Sequence, residues 1–410
     1  MKQLSLDSQI TSGAIQLGRG NIISSKDIAA KPGDYPIYSS SAQGKGEFGR
    51  YADFMFDEEL ITWSVDGGGR FFFRSKHKFS VTNVCGYMRV DDNIWNRRFV
   101  YYTLDLQHAN MAFDYQMKAH PSVIRKIYTF GEVPKPEKTK IAEILSTVDR
   151  AIEQTEALIA KQQRLKTGLM QDLLTRGIDE HGNLRSEQTH KFKDSPLGRI
   201  PVEWEVTPAK DLCDAVIDCK NRTPPAASEG HPVIRTPNVR NGEFVLDGLA
   251  WTDPHSYEVW VARGKPRAGD VVITREAPFG EACQIPADLP APCLGQRMMM
   301  YQTDPEKLRP DYLVFAIHSE AVQSRLLELA GGSTVGHVRV GDIRSLSIPH
   351  PVSVIEQARI TSALSGVTTT LKKVTANQLK LCSLKTALMQ DLLTGRKRVT
   401  ELLSGKEIIA

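Results

Sequence analysis

The chain has 410 residues, which is too long for one ordinary domain and suits two globular units with connecting elements. Its 52 Lys and Arg against 48 Asp and Glu leave a net charge of +4, which is less basic than expected of a protein that grips nucleic acid unaided. Any DNA binding must therefore use local patches or a partner. No apolar run approaches the roughly 20 residues that span a bilayer, and the N-terminus lacks the apolar core of a signal peptide, so we expect a cytoplasmic protein.

The six cysteines are not arranged as metal ligands or as a redox pair. They form no C-x-x-C motif and no Cys/His array with zinc spacing. In a cytoplasmic chain we expect reduced, mostly buried thiols, and we expect no metal site. The cysteines are Cys85, Cys213, Cys219, Cys283, Cys293 and Cys382.

Residues 1–136 predict a first globular domain, rich in glycine, proline and aromatic residues. Leu60–Trp63 and Phe71–Arg74 have the composition of β-strands, and Phe99–Leu104 is typical of a short helix. The glycines at 67–69 lie between the two strands but lack the G-x-x-x-x-G-K-[ST] frame of a phosphate loop. They predict a tight hairpin turn.

Residues 137–178 predict a long amphipathic helix. Its apolar residues alternate spacings of four and three, and the mean of about 3.5 is typical of the seam of a left-handed coiled coil. A helix of roughly 35–40 residues is predicted, because proline marks its start and Gly177 suits its end. The seam consists of Ile141, Leu145, Val148, Ile152, Ile159 and Leu169.

The same order of elements then repeats. Residues 179–199 are polar and rich in turn-formers, and predict a linker. Residues 200–351 predict a second globular domain, with strands at Asp270–Thr274 and Arg297–Tyr301 and a short helix at Tyr312–Ile317. A second long helix is predicted over 352–396, followed by a C-terminal tail over 397–410. Its seam consists of Ile360, Leu364, Val367, Leu371, Val374, Leu381 and Leu388.

The two long helices are copies of one another. Lys166–Thr175 reads KTGLMQDLLT and Lys385–Thr394 reads KTALMQDLLT, which differ only at Gly168 and Ala387. The same offset holds back to Ile141 and Ile360. A lone amphipathic helix of this length would leave its seam in water, so we expect the two copies to pack on each other.

Several segments resemble the specificity subunits of type I restriction–modification systems. The resemblance rests on Ile200-Pro-Val-Glu-Trp-Glu-Val, on Asp218-Cys-Lys-Asn-Arg-Thr-Pro-Pro, and on the stretch from Arg263 to Glu281. Glu356-Gln-Ala-Arg-Ile and the paired L-M-Q-D-L-L-T ends are similar to the repeated helical region of that family. The matching stretches cover nearly the whole chain.

The resemblance implies an α+β fold with a pseudo-two-fold internal repeat. Two α/β target-recognition domains are joined by two long helices packed as an antiparallel coiled coil. Each domain is expected to read one half of a split, asymmetric target in double-stranded DNA. The helices are expected to dock two DNA adenine methyltransferase subunits, and restriction/translocase subunits join the assembled complex. The chain itself is expected to hold no cofactor, since S-adenosylmethionine and ATP belong to the partner subunits, and no membrane is involved.

Direct readout requires side chains that present donors and acceptors to base edges, and phosphate contacts require cations. Loops held on a scaffold are where such residues concentrate. In the first domain the candidates are Arg70, Arg74, Lys76, Lys78, Asn83 and Lys118. In the second domain the candidates are Asn221, Arg222, Arg235, Asn238, Arg240, Arg275, Gln296, Arg297, His337 and Arg339.

No catalytic motif stands out. The chain has no N-P-P-Y or D-P-P-Y methyltransferase tetrapeptide, no G-x-S-x-G elbow and no H-E-x-x-H helix. Asp211, Asp214 and Asp218 have acidic-cluster spacing, but that spacing equally fits one exposed helix face. Two alternatives to a non-catalytic specificity subunit stay open at this point. One is a coiled-coil scaffold or methyltransferase decoy that binds no DNA, and the other is a nuclease that uses Asp218 and Lys220.

Overall fold

The computed structural model describes residues 3–40, 44–66, 68–111, 118–332 and 336–403. The chain forms two compact units, of which the first comprises residues 1–157 and 374–410 and the second residues 158–373. The division falls inside both long helices. The helices are therefore not separate from the globular regions, as the predicted segments 137–178 and 352–396 had them, because half of each helix belongs to each unit.

In the described residues of the first unit's globular region there are ten strands and four short helices. The strands are β1 (Gln3–Ser5), β2 (Ile15–Arg19), β3 (Tyr35–Tyr38), β4 (Glu47–Tyr51), β5 (Phe56–Asp57), β6 (Leu60–Ser64), β7 (Phe71–Arg74), β8 (Lys78–Val81), β9 (Cys85–Val90) and β10 (Thr129–Gly131). The helices are α1 (Leu6–Thr11), α2 (Ser25–Ala30), α3 (Arg97–Ala109) and α4 (Pro121–Ile127), and the long helix α5 (Lys135–Leu173) follows.

The second unit repeats this order with additional short strands. The strands are β11 (Phe192–Lys193), β12 (Ile200–Pro201), β13 (Trp204–Pro208), β14 (Cys213–Asp218), β15 (His231–Ile234), β16 (Val239–Arg240), β17 (Glu243–Phe244), β18 (Ala250–Thr252), β19 (Val271–Arg275), β20 (Phe279–Gln284), β21 (Cys293–Leu294), β22 (Met298–Thr303) and β23 (Ser347–Pro351). The helices are α6 (Pro254–Trp260), α7 (Pro310–Ile317), α8 (Glu320–Leu329), α9 (Val340–Arg344), the long α10 (Val354–Leu393) and, back in the first unit, α11 (Thr400–Leu403).

The two globular regions share one sheet topology. The strand order is β2-β9-β6-β7 in the first unit and β14-β22-β19-β20 in the second, and every neighbouring pair is antiparallel. A smaller sheet also recurs, in which β3 or β15 pairs antiparallel with one neighbour and parallel with the other. The predicted strands and short helices all lie within this repeat. The hairpin turn predicted at the triple glycine joins β6 to β7, although Gly67 lies outside the described residues.

The core of each unit is formed by its sheet, its helices and the long-helix ends. In the first unit Trp63 and Phe99 pack in one apolar cluster with Leu145 of α5 and Leu392 of α10. In the second unit Ile273 and Tyr312 pack in one cluster with Leu173 of α5 and Leu364 of α10. The ends of the predicted seam are thus buried by a globular region as well as by the partner helix. The central seam residues, from Val148 to Leu169 and from Val367 to Leu388, are half-buried.

Within the first unit, α5 and α10 run antiparallel. The Asp149 carboxylate pairs with Lys385 at 2.7 Å, and the Glu156 carboxylate accepts a hydrogen bond from Gln378 at 3.1 Å. Residue numbers rise along one helix as they fall along the other, so the pairing is antiparallel. In the second unit the end of α5 and the start of α10 likewise share a core.

A buried glutamate in the first turn of each long helix binds the segment that follows the other helix. Glu137 accepts two hydrogen bonds of 2.6 Å from Arg398, and a third of 3.3 Å from the Val399 amide. Glu356 accepts from Arg185 (Nη2–Oε2 2.9 Å), from the Ile178 amide at 3.1 Å and from the Trp204 indole at 3.0 Å. The two glutamates are equivalent, because the helix offset of 219 residues joins them.

These contacts change the reading of two segments predicted as linker and tail. Arg185 lies inside the predicted linker 179–199, yet it is buried and ion-paired. Val399 lies inside the predicted tail 397–410, yet it is buried in the core of the first unit. The two segments are polar because each carries an arginine that binds the glutamate at the start of a long helix, and not because they are unstructured.

Candidate nucleic-acid interface

Most candidates in the second unit converge on one end of its four-stranded sheet. At this loop end, β14 finishes at Asp218, β19 finishes at Arg275 and β22 begins at Met298. The Val338 amide donates to the carbonyl of Arg275 at 3.1 Å and so brings the 337–339 segment to the same place. Because these strands end at the same edge of the sheet, the loops that flank them lie close together. The predicted residues grouped there are Asn221, Arg222, Arg275, Gln296, Arg297, His337 and Arg339.

Arg275 does not present its side chain at this surface. It is buried, and its Nε lies 3.9 Å from Oδ1 of Asp218. Neither atom has a hydrogen-bond partner, so the contact is an ion pair without a bond. Arg263 approaches the other oxygen of Asp218 at 3.3 Å. Arg275 therefore serves as an internal counter-charge for Asp218, and its prediction as a base contact is not supported by this geometry.

Arg297 has the opposite environment. Its side chain is 45% exposed, and its Nε lies 3.1 Å from Oε2 of Glu276. The other oxygen of Glu276 lies 2.8 Å from Nδ1 of His337. Arg297 also has a backbone φ of +72°, a value that residues other than glycine rarely adopt. The carboxylate thus holds two candidate side chains together at the loop end.

The predicted residues of the proline-rich loop hold that loop in shape, and Arg235 packs against Gly295, next to Gln296 of the loop end. Asn238 is fully buried, where its amide accepts from the Arg235 backbone at 3.0 Å and donates to the Val245 carbonyl at 3.0 Å. Arg235 donates to the Gly248 carbonyl at 2.7 Å, and Arg240 donates to two carbonyls of its own loop at 2.9 Å. Both amide atoms of Asn238 are used within the loop, which gives this residue a structural role in the protein; its contact with DNA stays a prediction.

The first unit has an equivalent loop end, formed where β2 finishes at Arg19, β6 finishes at Ser64 and β9 begins at Cys85. The Ala119 amide donates to the Val65 carbonyl at 2.9 Å, as Val338 does to Arg275. Lys118 and Asp66 form an ion pair of 3.2 Å in the place that His337 and Glu276 take in the second unit. Of the candidates, Arg70, Asn83 and Lys118 lie at this end.

The remaining first-unit candidates lie elsewhere. Arg74 pairs in register with Leu60, at the far end of the sheet, and it is buried. Its guanidinium donates to Oγ1 of Thr62 at 2.9 Å and stacks 3.6 Å from the ring centre of Tyr38, and burial lowers its pKa. Arg74 thus uses its guanidinium in internal contacts away from the loop end, and its contact with DNA stays a prediction. Lys76 and Lys78 are exposed near the same far end, where Lys78 lies 4.7 Å from the Phe54 ring centre.

Two arginines at the loop ends were not among the predicted residues. Arg19 is the last residue of β2 and donates from Nε to the Asn83 carbonyl at 2.7 Å. Arg263 donates to the Cys219 carbonyl at 3.0 Å and pairs with Asp218. Arg19 ends a strand, whereas Arg263 follows helix α6, so no shared sequence signal marks them, and only the tertiary structure shows that both reach a loop end.

The three aspartates with cluster spacing are spread along the chain rather than gathered at the loop end, where only Asp218 lies. Asp214 and Asp218 lie in strand β14 and Asp211 lies in the 3-10 turn before it, so the alternative of one helix face was wrong. Four residues of strand separate Asp214 from Asp218 by roughly 13 Å. Within the described ranges, no group of three or more His, Cys, Asp or Glu could hold a metal ion.

Two further findings concern the chain as a whole. None of the six cysteines is in a disulfide, and Cys85, Cys219, Cys283 and Cys293 are buried, as expected. In the parts of the chain that the structure describes, no helix has the length and apolar character needed to cross a membrane.

The fold and its loop ends define a protein with two related binding units built from one duplicated chain. A model of the type I restriction modification DNA specificity domain matches residues 13–162 and 201–381. The MjaVIII type I restriction enzyme specificity subunit of Methanocaldococcus jannaschii is 25% identical over 350 residues, covering 84% of this chain and 80% of that protein. The chain therefore belongs to the family of type I restriction–modification specificity subunits.

Solved structures share the fold. The crystal structure of a type I restriction–modification S subunit from M. genitalium matches with a TM-score of 0.65 at 14% identity, covering 96% of both chains. A structure from work on complex assembly and conformational transition of the type I R-M system matches with a TM-score of 0.52 at 15% identity, covering 96% of this chain and 97% of that chain. At these identities the likeness shows the α+β fold with its paired long helices.

Proposed function

We propose that each unit reads one half of a bipartite, asymmetric DNA target with its loop end, and that the chain has no catalytic site of its own. The observation that carries the proposal is that equivalent positions of the two loop ends bear different side chains. The Val65 amide donates to the Val84 carbonyl at 3.0 Å, as the Arg275 amide donates to the Arg297 carbonyl at 2.9 Å, so a pair of valines takes the place of a pair of arginines. Two readers with one scaffold and unlike side chains favour unlike half-sites.

Exposed leucines on the long helices support docking of partner subunits. Leu165 and Leu384 are both nearly half exposed and lie at equivalent positions of α5 and α10. Leu165 belongs to the second unit and Leu384 to the first. Because the two positions are copies, we propose that each binds one DNA adenine methyltransferase subunit, so that two such subunits join one chain. Restriction/translocase subunits would join through that complex, and S-adenosylmethionine and ATP would be bound by the partners.

The surroundings of Asp218 and Lys220 support a non-catalytic role over a nuclease. The Asp218 carboxylate lies between the guanidinium groups of Arg263 and Arg275. The Lys220 ammonium lies 4.7 Å from the ring centre of Trp260. In a metal-dependent nuclease this carboxylate would have to bind a metal ion. The two adjacent guanidinium charges would repel such a cation.

The test is to express the chain with a type I DNA adenine methyltransferase subunit from the same genome and to map methylated adenines genome-wide. A single bipartite motif with two different halves supports the proposal. An absence of methylation despite complex formation supports the scaffold or decoy, and metal-dependent cutting of DNA by the purified chain alone would establish the nuclease.

Docking is tested separately with Leu165→Glu and Leu384→Glu. Each variant should lose one methyltransferase subunit, and the double variant should lose both, when complex masses are measured by light scattering. Leu246→Glu is the matched control, because Leu246 is exposed on the globular region of the second unit. Full assembly of the double variant would contradict the proposed docking positions.

A further inference from the structure

The loop end of the second unit contains one exposed arginine whose backbone is strained. Arg297 immediately precedes β22, and its carbonyl accepts a 2.9 Å hydrogen bond from the Arg275 amide. The peptide is thus fixed within the pairing of β19 with β22. Its φ of +72° is a left-handed backbone conformation that is strained for arginine but not for glycine. Strain of this kind is typical of sites where the side chain itself is needed.

Glu276 fixes the orientation of the guanidinium. Its Oε2 lies 3.1 Å from Nε of Arg297, and Glu276 is itself bound by His337 at 2.8 Å. Nε is the guanidinium nitrogen nearest the carboxylate, and no hydrogen bond or ion pair with another described residue uses Nη1 or Nη2. The edge between Nη1 and Nη2 is therefore available to a base. Guanine presents two acceptors in the major groove, O6 and N7, and two parallel N–H groups of an arginine can donate to both of them.

The carboxylate also changes what kind of DNA contact the arginine can make. A lone arginine is attracted to every phosphate, whatever the sequence. A paired arginine has its charge offset by Glu276, which repels phosphates, yet it keeps its directional donors. Such a pair contributes to discrimination between bases more than to general affinity. Arg339, which is exposed and forms no ion pair with another described residue, has the properties of a phosphate contact.

We propose that Arg297 reads a guanine in the half-site of the second unit, and that Glu276 is the residue that positions it. The inference rests on the proposed function and adds the side chain and base. It concerns the second unit alone, because the first unit has Val84 in the place of Arg297 and the Lys118–Asp66 pair in the place of His337–Glu276. Arg275, being internal, is not a reader.

The test uses the chain in complex with its methyltransferase, and duplexes in which each base pair of the mapped target is substituted in turn. Arg297→Lys keeps the charge and removes the fork of donors. It should lower the preference for one G·C pair in the second half by about 5- to 150-fold, the equivalent of 1–3 kcal/mol, with the first half unchanged. Glu276→Gln should lower discrimination at that same pair while raising affinity for unrelated DNA.

Arg339→Ala is the matched control, because loss of a phosphate contact should weaken binding to all duplexes evenly and reduce the salt slope by about 1. Arg297→Gly separates reading from folding. It relieves the backbone, so its thermal unfolding midpoint should equal or exceed that of the wild type while discrimination is lost.

Two results would overturn the proposal. One is an even loss of affinity for target and unrelated DNA in Arg297→Lys, which would make Arg297 a phosphate contact. The other is that the Arg297→Lys complex methylates the same bipartite motif as the wild-type complex. That result would refute the role of Arg297 but would leave the proposed function standing. A wild-type complex that methylates no defined motif would instead refute the proposed function itself.

Discussion

Replacing Glu356 by alanine tests how the start of α10 is held to the end of α5. The Glu356 carboxylate satisfies the Arg185 guanidinium, the Trp204 indole and the Ile178 amide. The variant leaves all three donors without their acceptor, and the Arg185 side chain is only 7% exposed. Removing one member of a buried ion pair typically costs about 3–5 kcal/mol, because the remaining charge stays buried.

Glu137→Ala is the matched comparison in the first unit. Glu137 is equally buried, but the side chain of its partner Arg398 is 51% exposed. Water can rehydrate that guanidinium once the carboxylate is gone. The loss is then that of charge-assisted hydrogen bonds, about 1.5–3 kcal/mol. The two variants remove the same chemical group and differ mainly in the burial of the partner.

Hydrogen exchange measured by mass spectrometry suits this pair, because two compact units are not expected to unfold in one step. In Glu356→Ala, exchange protection around Ile178 and Trp204 should fall by roughly two to three and a half orders of magnitude, and in Glu137→Ala protection around Val399 should fall by about one to two. Adding Arg185→Met to a Glu356→Leu variant should restore part of the loss, since no buried charge remains. Equal losses of under about 1 kcal/mol in both single variants would refute the reasoning from burial.

Three further predictions follow from single side chains. Leu145→Glu and Leu364→Glu place a charge in a closed core and should each cost at least about 3 kcal/mol in thermal unfolding, whereas Leu379→Glu, on an exposed face of α10, should change stability by no more than about 0.5 kcal/mol. Arg275→Ala should destabilise the second unit, because Asp218 loses a counter-charge, and should leave base preference unchanged; relaxed readout without loss of stability would contradict its internal role. The hydrogen bonds from Arg398 hold the pKa of Glu137 below its ordinary value of 4.5. Because the folded pKa is the lower one, the stabilisation is present above pH 4.5 and is lost as the pH falls through the folded value, so protection of Val399 should fall there in the wild type and not in Glu137→Gln.

The sequence predicted the elements of the fold well, because each rests on local chemistry. The heptad spacing and the near-identical helix ends predicted α5 and α10, and the structure confirms both. The short β-like apolar runs also located β6, β7, β19 and β22. Composition misjudged the segments after the helices, because Arg185 and Val399 lie in polar stretches and become buried only through contacts distant in sequence.

The candidate site was predicted less well, for a physical reason. The sequence does not distinguish an arginine exposed in a loop from an arginine buried in a core. Arg74, Asn238 and Arg275 fit the composition of a DNA-binding surface, but tertiary contacts use their donors internally. Arg19 and Arg263 were missed because only the tertiary structure shows that their positions meet the other loops.

The near balance of charge in this chain gains an explanation from the loop ends. Asp66, Asp218 and Glu276 each pair with a cation at the surface where DNA contact is proposed. Those carboxylates reduce general attraction to phosphates, while the arginines and Lys118 keep their directional donors. A subunit that joins DNA-binding partners gains little from extra non-specific affinity, which every stretch of genome would share. It gains more from side chains that bind tightly only where the base edges match, and carboxylate-held cations on related but unlike loop ends have that property.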